Sequence, residues 1–180
     1  MPRATLLIVI VALLSGLLAA CNDGSAGDGD QRGATLCGPS VVEQLDPDGG
    51  HLIAGVTPPS YLTNPPTSGP HTPGLGVEGG IVHEPLSPIA QVTTLEDGIV
   101  IVQYRDPADA EDLEPLAGPE VVVAPNPGLP SAVIATAWVE KLTCSGVDVE
   151  SVQRFIDSVA GRHQGHSTTT AIATTTTARG

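Results

Sequence analysis

Ile99-Val100-Ile101-Val102-Gln103-Tyr104, opened by Gly98, is an apolar run rich in β-branched residues. It predicts a buried strand. Val121-Val122-Val123, halted at Pro125, predicts a second one. Residues 132–139, ending near Trp138, give a third, and residues 51–56, closed by Pro58-Pro59, a short edge strand. None of the four contains an internal proline, which a strand ladder tolerates poorly. Two helices are expected. Asp106-Pro107 supplies an N-cap and a first-turn proline, and Pro115 stops that helix by about Glu114. The second follows Asp148. Val149, Val152, Ile156 and Val159 recur at helical spacing, Phe155 widens that face, and Gly161 offers a stop. Together these predict a small α+β domain over residues 36–163, with a short sheet, two helices and one long Pro/Gly-rich loop. The loop is residues 57–88, where prolines are dense and no periodic segment appears. A long structureless stretch in a compact domain is either functional or misread.

The chain has 180 residues and a formal net charge of -13, enough length for one domain with tails. That acidity disfavours nucleic acid and anionic membrane surfaces as partners. With 21 glycines, 17 prolines and few aromatics, many turns and a modest core are expected.

Both ends of the chain read differently from the middle. Arg3, the apolar run 6–14 and the small residues Ser15-Gly16 precede Leu18-Ala19-Ala20-Cys21. A charged start, an apolar centre and small residues before a cut describe a secretory signal. The run falls short of the roughly 20 apolar residues a transmembrane helix needs. Leu-Ala-Ala-Cys resembles a bacterial lipobox, which implies cleavage after residue 20 and lipidation of Cys21. The expected product is a lipoprotein held to the membrane at its extracytoplasmic face, through acyl chains such as palmitate. Two or more chains give stable attachment. Residues 21–35, rich in Gly, Asp and Ser, read as a flexible tether, and residues 164–180 as a disordered Thr-rich tail. That tail is read as low complexity, with O-glycosylation as the alternative.

With Cys21 given to lipid, Cys37 and Cys144 are left for one disulfide, which export permits. Closing a loop of roughly 100 residues is worth about 4–5 kcal/mol in the chain-entropy model. Two free thiols, one of them a nucleophile, are the competing reading; no Cys-x-x-Cys supports it.

Inside the loop stands Tyr61-Leu62-Thr63-Asn64-Pro65-Pro66-Thr67-Ser68-Gly69-Pro70-His71. It resembles the signature of a bacterial family of exported domains catalogued as domain of unknown function 3105. Gly50-His51, Leu95-Glu96-x-Gly98 with the strand after it, Ala137-Trp138, Cys144 and the last helix are similar to further family positions. The family reads His-x-Leu-Glu-His-Gly where this chain has Thr93-Thr94-Leu95-Glu96-Asp97-Gly98. The resemblance therefore implies an altered site, with Thr93 and Asp97 in place of histidines. It brings no established activity with it.

Proline restricts the backbone at 65, 66 and 70, and Gly69 allows a turn, so Thr67, Ser68 and His71 are expected on a stiff loop. That loop is read either as a ligand-contact element or as a plain turn. His51, His71, Glu96 and Asp97 form a candidate metal set, because imidazole plus carboxylate suits zinc, manganese or iron. No His-Glu-x-x-His spacing supports the set, and the convergence is implied by the resemblance alone. His83 with Glu84 reads as a solvated pair. Ser68 with His71 and a carboxylate makes a nucleophile set with no elbow motif behind it. Asp109, Glu111, Asp112 and Glu114 lack calcium-loop spacing and read as a solvated helix face. The leading expectation is a noncatalytic binding or interaction module at the cell surface, with an unidentified protein as partner. The alternative is a divalent-metal domain, extending to a metal-dependent hydrolase.

Overall fold

The computed structural model describes residues 35–53, 56–57, 60–74 and 76–162. All of them belong to the unit that begins at Gly33. The signal segment, Cys21, the tether up to residue 34 and the Thr-rich tail lie outside the described residues.

Six strands are present: β1 (Val41–Val42), β2 (Gly80–Ile81), β3 (Val100–Tyr104), β4 (Val121–Pro125), β5 (Val133–Ala137) and β6 (Glu140–Cys144). Three short helices accompany them: α1 (Pro88–Glu96), α2 (Ala110–Leu113) and α3 (Val149–Val159). The strands form one mixed sheet in the order β1-β6-β5-β3-β4-β2. β4 runs parallel to both β2 and β3, whereas β3–β5, β5–β6 and β1–β6 are antiparallel. This corrects the α+β expectation of a short sheet with two helices. The domain is dominated by its sheet, and a third helix packs on it.

Three local causes hid the larger sheet. β6 reads Glu-Lys-Leu-Thr-Cys, a mixture without clean alternation, and its hairpin turn at Trp138-Val139 lacks the Asn-Gly type of signal. The outer strands β1 and β2 are two residues each, too short for any periodicity. The edge strand expected over residues 51–56 is absent among the described residues; His51 makes only an isolated parallel bridge with His71.

α1 is the unpredicted helix. Ser87 caps it, accepting from the Ala90 N–H, and Pro88 occupies the first turn. That is the signal read correctly at Asp106-Pro107, missed here because the helix has no apolar stripe. Gln91, Val92, Thr93, Thr94 and Leu95 are all buried in succession. Thr93 and Thr94 turn their hydroxyls back to the carbonyls of Ile89 and Ala90, removing two donors that a buried helix face could not leave unpaired. After β3 the chain forms two 3₁₀ turns flanking α2, where one helix from 106 to 114 was expected. α3 matches its periodicity except at Val149, which stays exposed in the first turn.

β3 is buried at every position because each sheet face is covered. On the first face Val100, Val102, Val123, Ala135 and Leu142 meet Val152, Phe155, Ile156 and Val159 of α3. Cys37 and Cys144 join the same cluster, linked by a disulfide of 2.02 Å across 107 positions. On the second face Ile101, Val122 and Ala124 pack with Leu95 of α1 and with Val77, Val82 and Trp138. The proline-rich segment lies on this second side, tied to the β5–β6 turn by a hydrogen bond from the Val139 N–H to the Thr67 carbonyl.

Candidate functional site

Two backbone hydrogen bonds bring the first two candidate ligands together. The Leu52 N–H donates to the His71 carbonyl at 2.7 Å, and the His71 N–H donates to the Gly50 carbonyl at 3.1 Å. This short parallel bridge sets the imidazoles with centroids 4.9 Å apart at 87°. The loop before His71 is packed inward; residues 65–70 are all buried. Gly69 sits at φ +134, and a Cβ there would meet the Tyr61 ring at 2.8 Å. The Tyr61 hydroxyl donates to the Pro70 carbonyl at 2.8 Å. Burial, and then the nearby Asp46 carboxylate, raise the Tyr61 pKa, which keeps that hydroxyl a donor.

Glu96, the last residue of α1, completes the cluster. Its helix is drawn onto the loop by a seam of polar contacts. Thr93 Oγ1 meets both the N–H and the hydroxyl of Thr72; Thr94 Oγ1 accepts from the Val77 N–H at 2.9 Å. Gly76 permits the close approach, since a Cβ there would lie 2.4 Å from Thr94 Cα. Glu96 Oε2 then stands 2.6 Å from His71 Nε2 and 4.0 Å from His51 Nε2. One ligand atom from each of the three residues lies within 4.8 Å of the others. His71 is only 3% exposed, whereas the His51 side chain is 42% exposed. The cluster is therefore buried on one side and open to water on the other.

The tautomer of His71 is decided by its neighbours. Nδ1 lies 2.9 Å from the Gly69 carbonyl, which can only accept, so Nδ1 carries the proton. Nε2 then faces Glu96, either as a lone pair or carrying a second proton. It is buried and has no aligned hydrogen-bond partner, although the Glu96 carboxylate is 2.6 Å away. The short distance marks contact, and the misalignment shows that no ordinary hydrogen bond accounts for it. A proton on Nε2 or a bound cation would each satisfy such a pair. A ring whose second nitrogen is held by a backbone carbonyl is also the usual outer-shell arrangement of a metal-binding histidine.

The other sequence candidates fall elsewhere. Asp97 is the C-cap of α1, and its carboxylate accepts from the Gly76 N–H at 2.7 Å; it is not among the converging donors. Thr67 and Ser68 are buried, and Ser68 Oγ accepts from the Asp46 N–H at 2.9 Å, so they shape the loop from within. Neither nitrogen of His71 serves Ser68, since one faces Gly69 and the other Glu96. His83 and Glu84 are exposed, as are Asp109's neighbours Glu111 and Asp112. An open cleft of about 440 Å³ between Cys37, Leu142 and Phe155 shares no residue with the donor cluster. The sequence reading passed over Trp138 as a site residue. Its ring centre is 6.2 Å from that of His71, at 89°. The signal that could have found it is that it is the chain's only tryptophan.

The family model described as "Protein of unknown function (DUF3105)" matches residues 55–174, more than half of the chain, and the chain belongs to that family. His71 and Glu96 lie inside the matched span and His51 just before it. No curated protein and no solved structure matches the chain.

Proposed function

We propose that this member of the family is a lipid-anchored, extracytoplasmic binding module whose site takes one divalent metal ion through His51, His71 and Glu96. The observation that carries the metal reading is His71 Nε2, buried, without an aligned partner and 2.6 Å from Glu96 Oε2. Two imidazoles and one carboxylate suit zinc, manganese or iron. Ligand atoms on a tetrahedral zinc sit about 3.3 Å apart, given bonds of about 2.0–2.1 Å. The distances of 2.6 and 4.0 Å bracket that spacing. Small side-chain rotations reach it, and His51 lies on the exposed side of the cluster.

Counting donors favours binding over catalysis. Three protein ligands leave positions open for water or a ligand, as catalytic sites do. A hydrolase also needs a base near that water. Among the described residues no further His, Cys or acid joins the cluster, and Asp97 is held by Gly76. Glu96 serves as ligand or as base, not both. Titration of the purified protein with zinc by calorimetry tests the reading. One equivalent is expected, with His71→Ala and Glu96→Gln each losing more than the roughly 10–100-fold that an outer-shell partner costs. No uptake by the wild type, or uptake unchanged in both variants, contradicts it.

The anchoring half rests on Leu18-Ala19-Ala20-Cys21 after its apolar run. Among the described residues no helix is long and apolar enough to cross a membrane. Cys21→Ala is expected to leave the detergent phase and to remain unprocessed. Unchanged fractionation and mass would contradict lipidation.

A further inference from the structure

We infer that the two-residue turn Trp138-Val139 is a strained positioning element that fixes the aim of His71 toward the metal, at the expense of local stability. The inference rests on the metal reading above. Val139 has φ 56, the one non-glycine residue at positive φ among the described residues. A β-branched side chain is a genuine outlier in that region, and such strain persists only where the surroundings over-determine it. Here they do. The Val139 N–H donates to the Thr67 carbonyl at 2.9 Å, and the Val139 carbonyl accepts from the Glu43 N–H at 2.8 Å. Glu43 is held in turn by the buried Lys141, at 3.0 Å.

Both halves of the turn lead to His71. Val139 grips the proline-rich loop four residues before the histidine. Trp138, packed on the Ile101-Val122 cluster, sets its ring nearly perpendicular to the imidazole. His51 stands perpendicular as well, and Gly69 holds Nδ1. The imidazole therefore has little freedom to rotate, and Nε2 stays turned to Glu96. Glycine at 139 adopts φ 56 without the steric penalty. It keeps both backbone hydrogen bonds but opens a wider range of φ, so the turn holds Trp138 and the loop less firmly.

The test compares Val139→Gly with wild type in two measurements on the full chain, the melting temperature without metal and the zinc affinity by calorimetry. Trp138 emission, from the only tryptophan, gives a second view of the same titration. The expected result is a melting temperature at or above wild type with zinc affinity about 10-fold weaker, the low end of outer-shell effects. Wild-type affinity in the variant would overturn the inference and leave the metal reading standing. A lower melting temperature together with weaker binding would also overturn it, marking the turn as merely structural. Failure of the wild type to bind zinc would instead remove the metal reading, and the inference with it.

Discussion

The two faces of the sheet are covered in opposite ways. α3 lays an apolar stripe on the first face, and the disulfide closes the same cluster. α1 and the proline-rich loop cover the second face through a seam of threonine hydroxyls, backbone groups and a glycine close approach. Area burial and the disulfide hold the first face, whereas on the second a smaller apolar cluster is joined by directional contacts between α1 and the loop. Apolar packing tolerates small shifts; a hydrogen-bonded seam fixes atoms in place. The proposed metal donors, His51, His71 and Glu96, lie on the second side.

Perturbing the first face should cost stability and spare the site. Replacing Cys37 and Cys144 together by serine is expected to cost about 4–5 kcal/mol by loop entropy. Phe155→Ala, which truncates a residue 4% exposed, is expected to cost about 3–5 kcal/mol. Denaturant unfolding reads both losses, and zinc affinity of the folded fraction should not change. Perturbing the second face should reverse the balance. Gly76→Ala forces a Cβ against Thr94 Cα, an overpacking of about 1–3 kcal/mol, and should move Glu96 enough to weaken zinc binding. Equal zinc affinity in Gly76→Ala would break the contrast between the faces.

The smallest effect sharpens it at the start of α3. Asp148 caps that helix, and its pKa is lowered, first by the Ser151 N–H it accepts from and then by the Ser151 hydroxyl. A depressed carboxylate stabilises the fold above its unfolded-state pKa, and that contribution is lost as pH falls through the folded value. Asp148→Ala should cost about 1 kcal/mol at neutral pH, and the gap to wild type should close on acidification. A gap that is constant with pH would assign the effect to helix propensity instead.

The same division explains what was legible in the sequence. β3, β4, β5 and α3 announce themselves because apolar periodicity reports burial of area, and the first face is built of that. α1 was unreadable because Gln91, Thr93 and Thr94 are buried by local hydrogen bonds, which leave no periodic trace. β6 was hidden by a turn that uses Val139 where glycine is expected. His51, His71 and Glu96 could be nominated by residue type, but their meeting depends on a two-bond backbone bridge and on Gly76, features of tertiary contact. Asp97 shows the converse. It has the right chemistry for a ligand and is spent on a backbone N–H.

X-ray absorption at the zinc edge of the zinc-loaded protein is the most direct test of the three-donor site. Two imidazole nitrogens and at least one oxygen at about 2.0–2.1 Å are predicted, with one imidazole lost in His71→Ala. A zinc shell of oxygen alone, or a spectrum unchanged in His71→Ala, would contradict it.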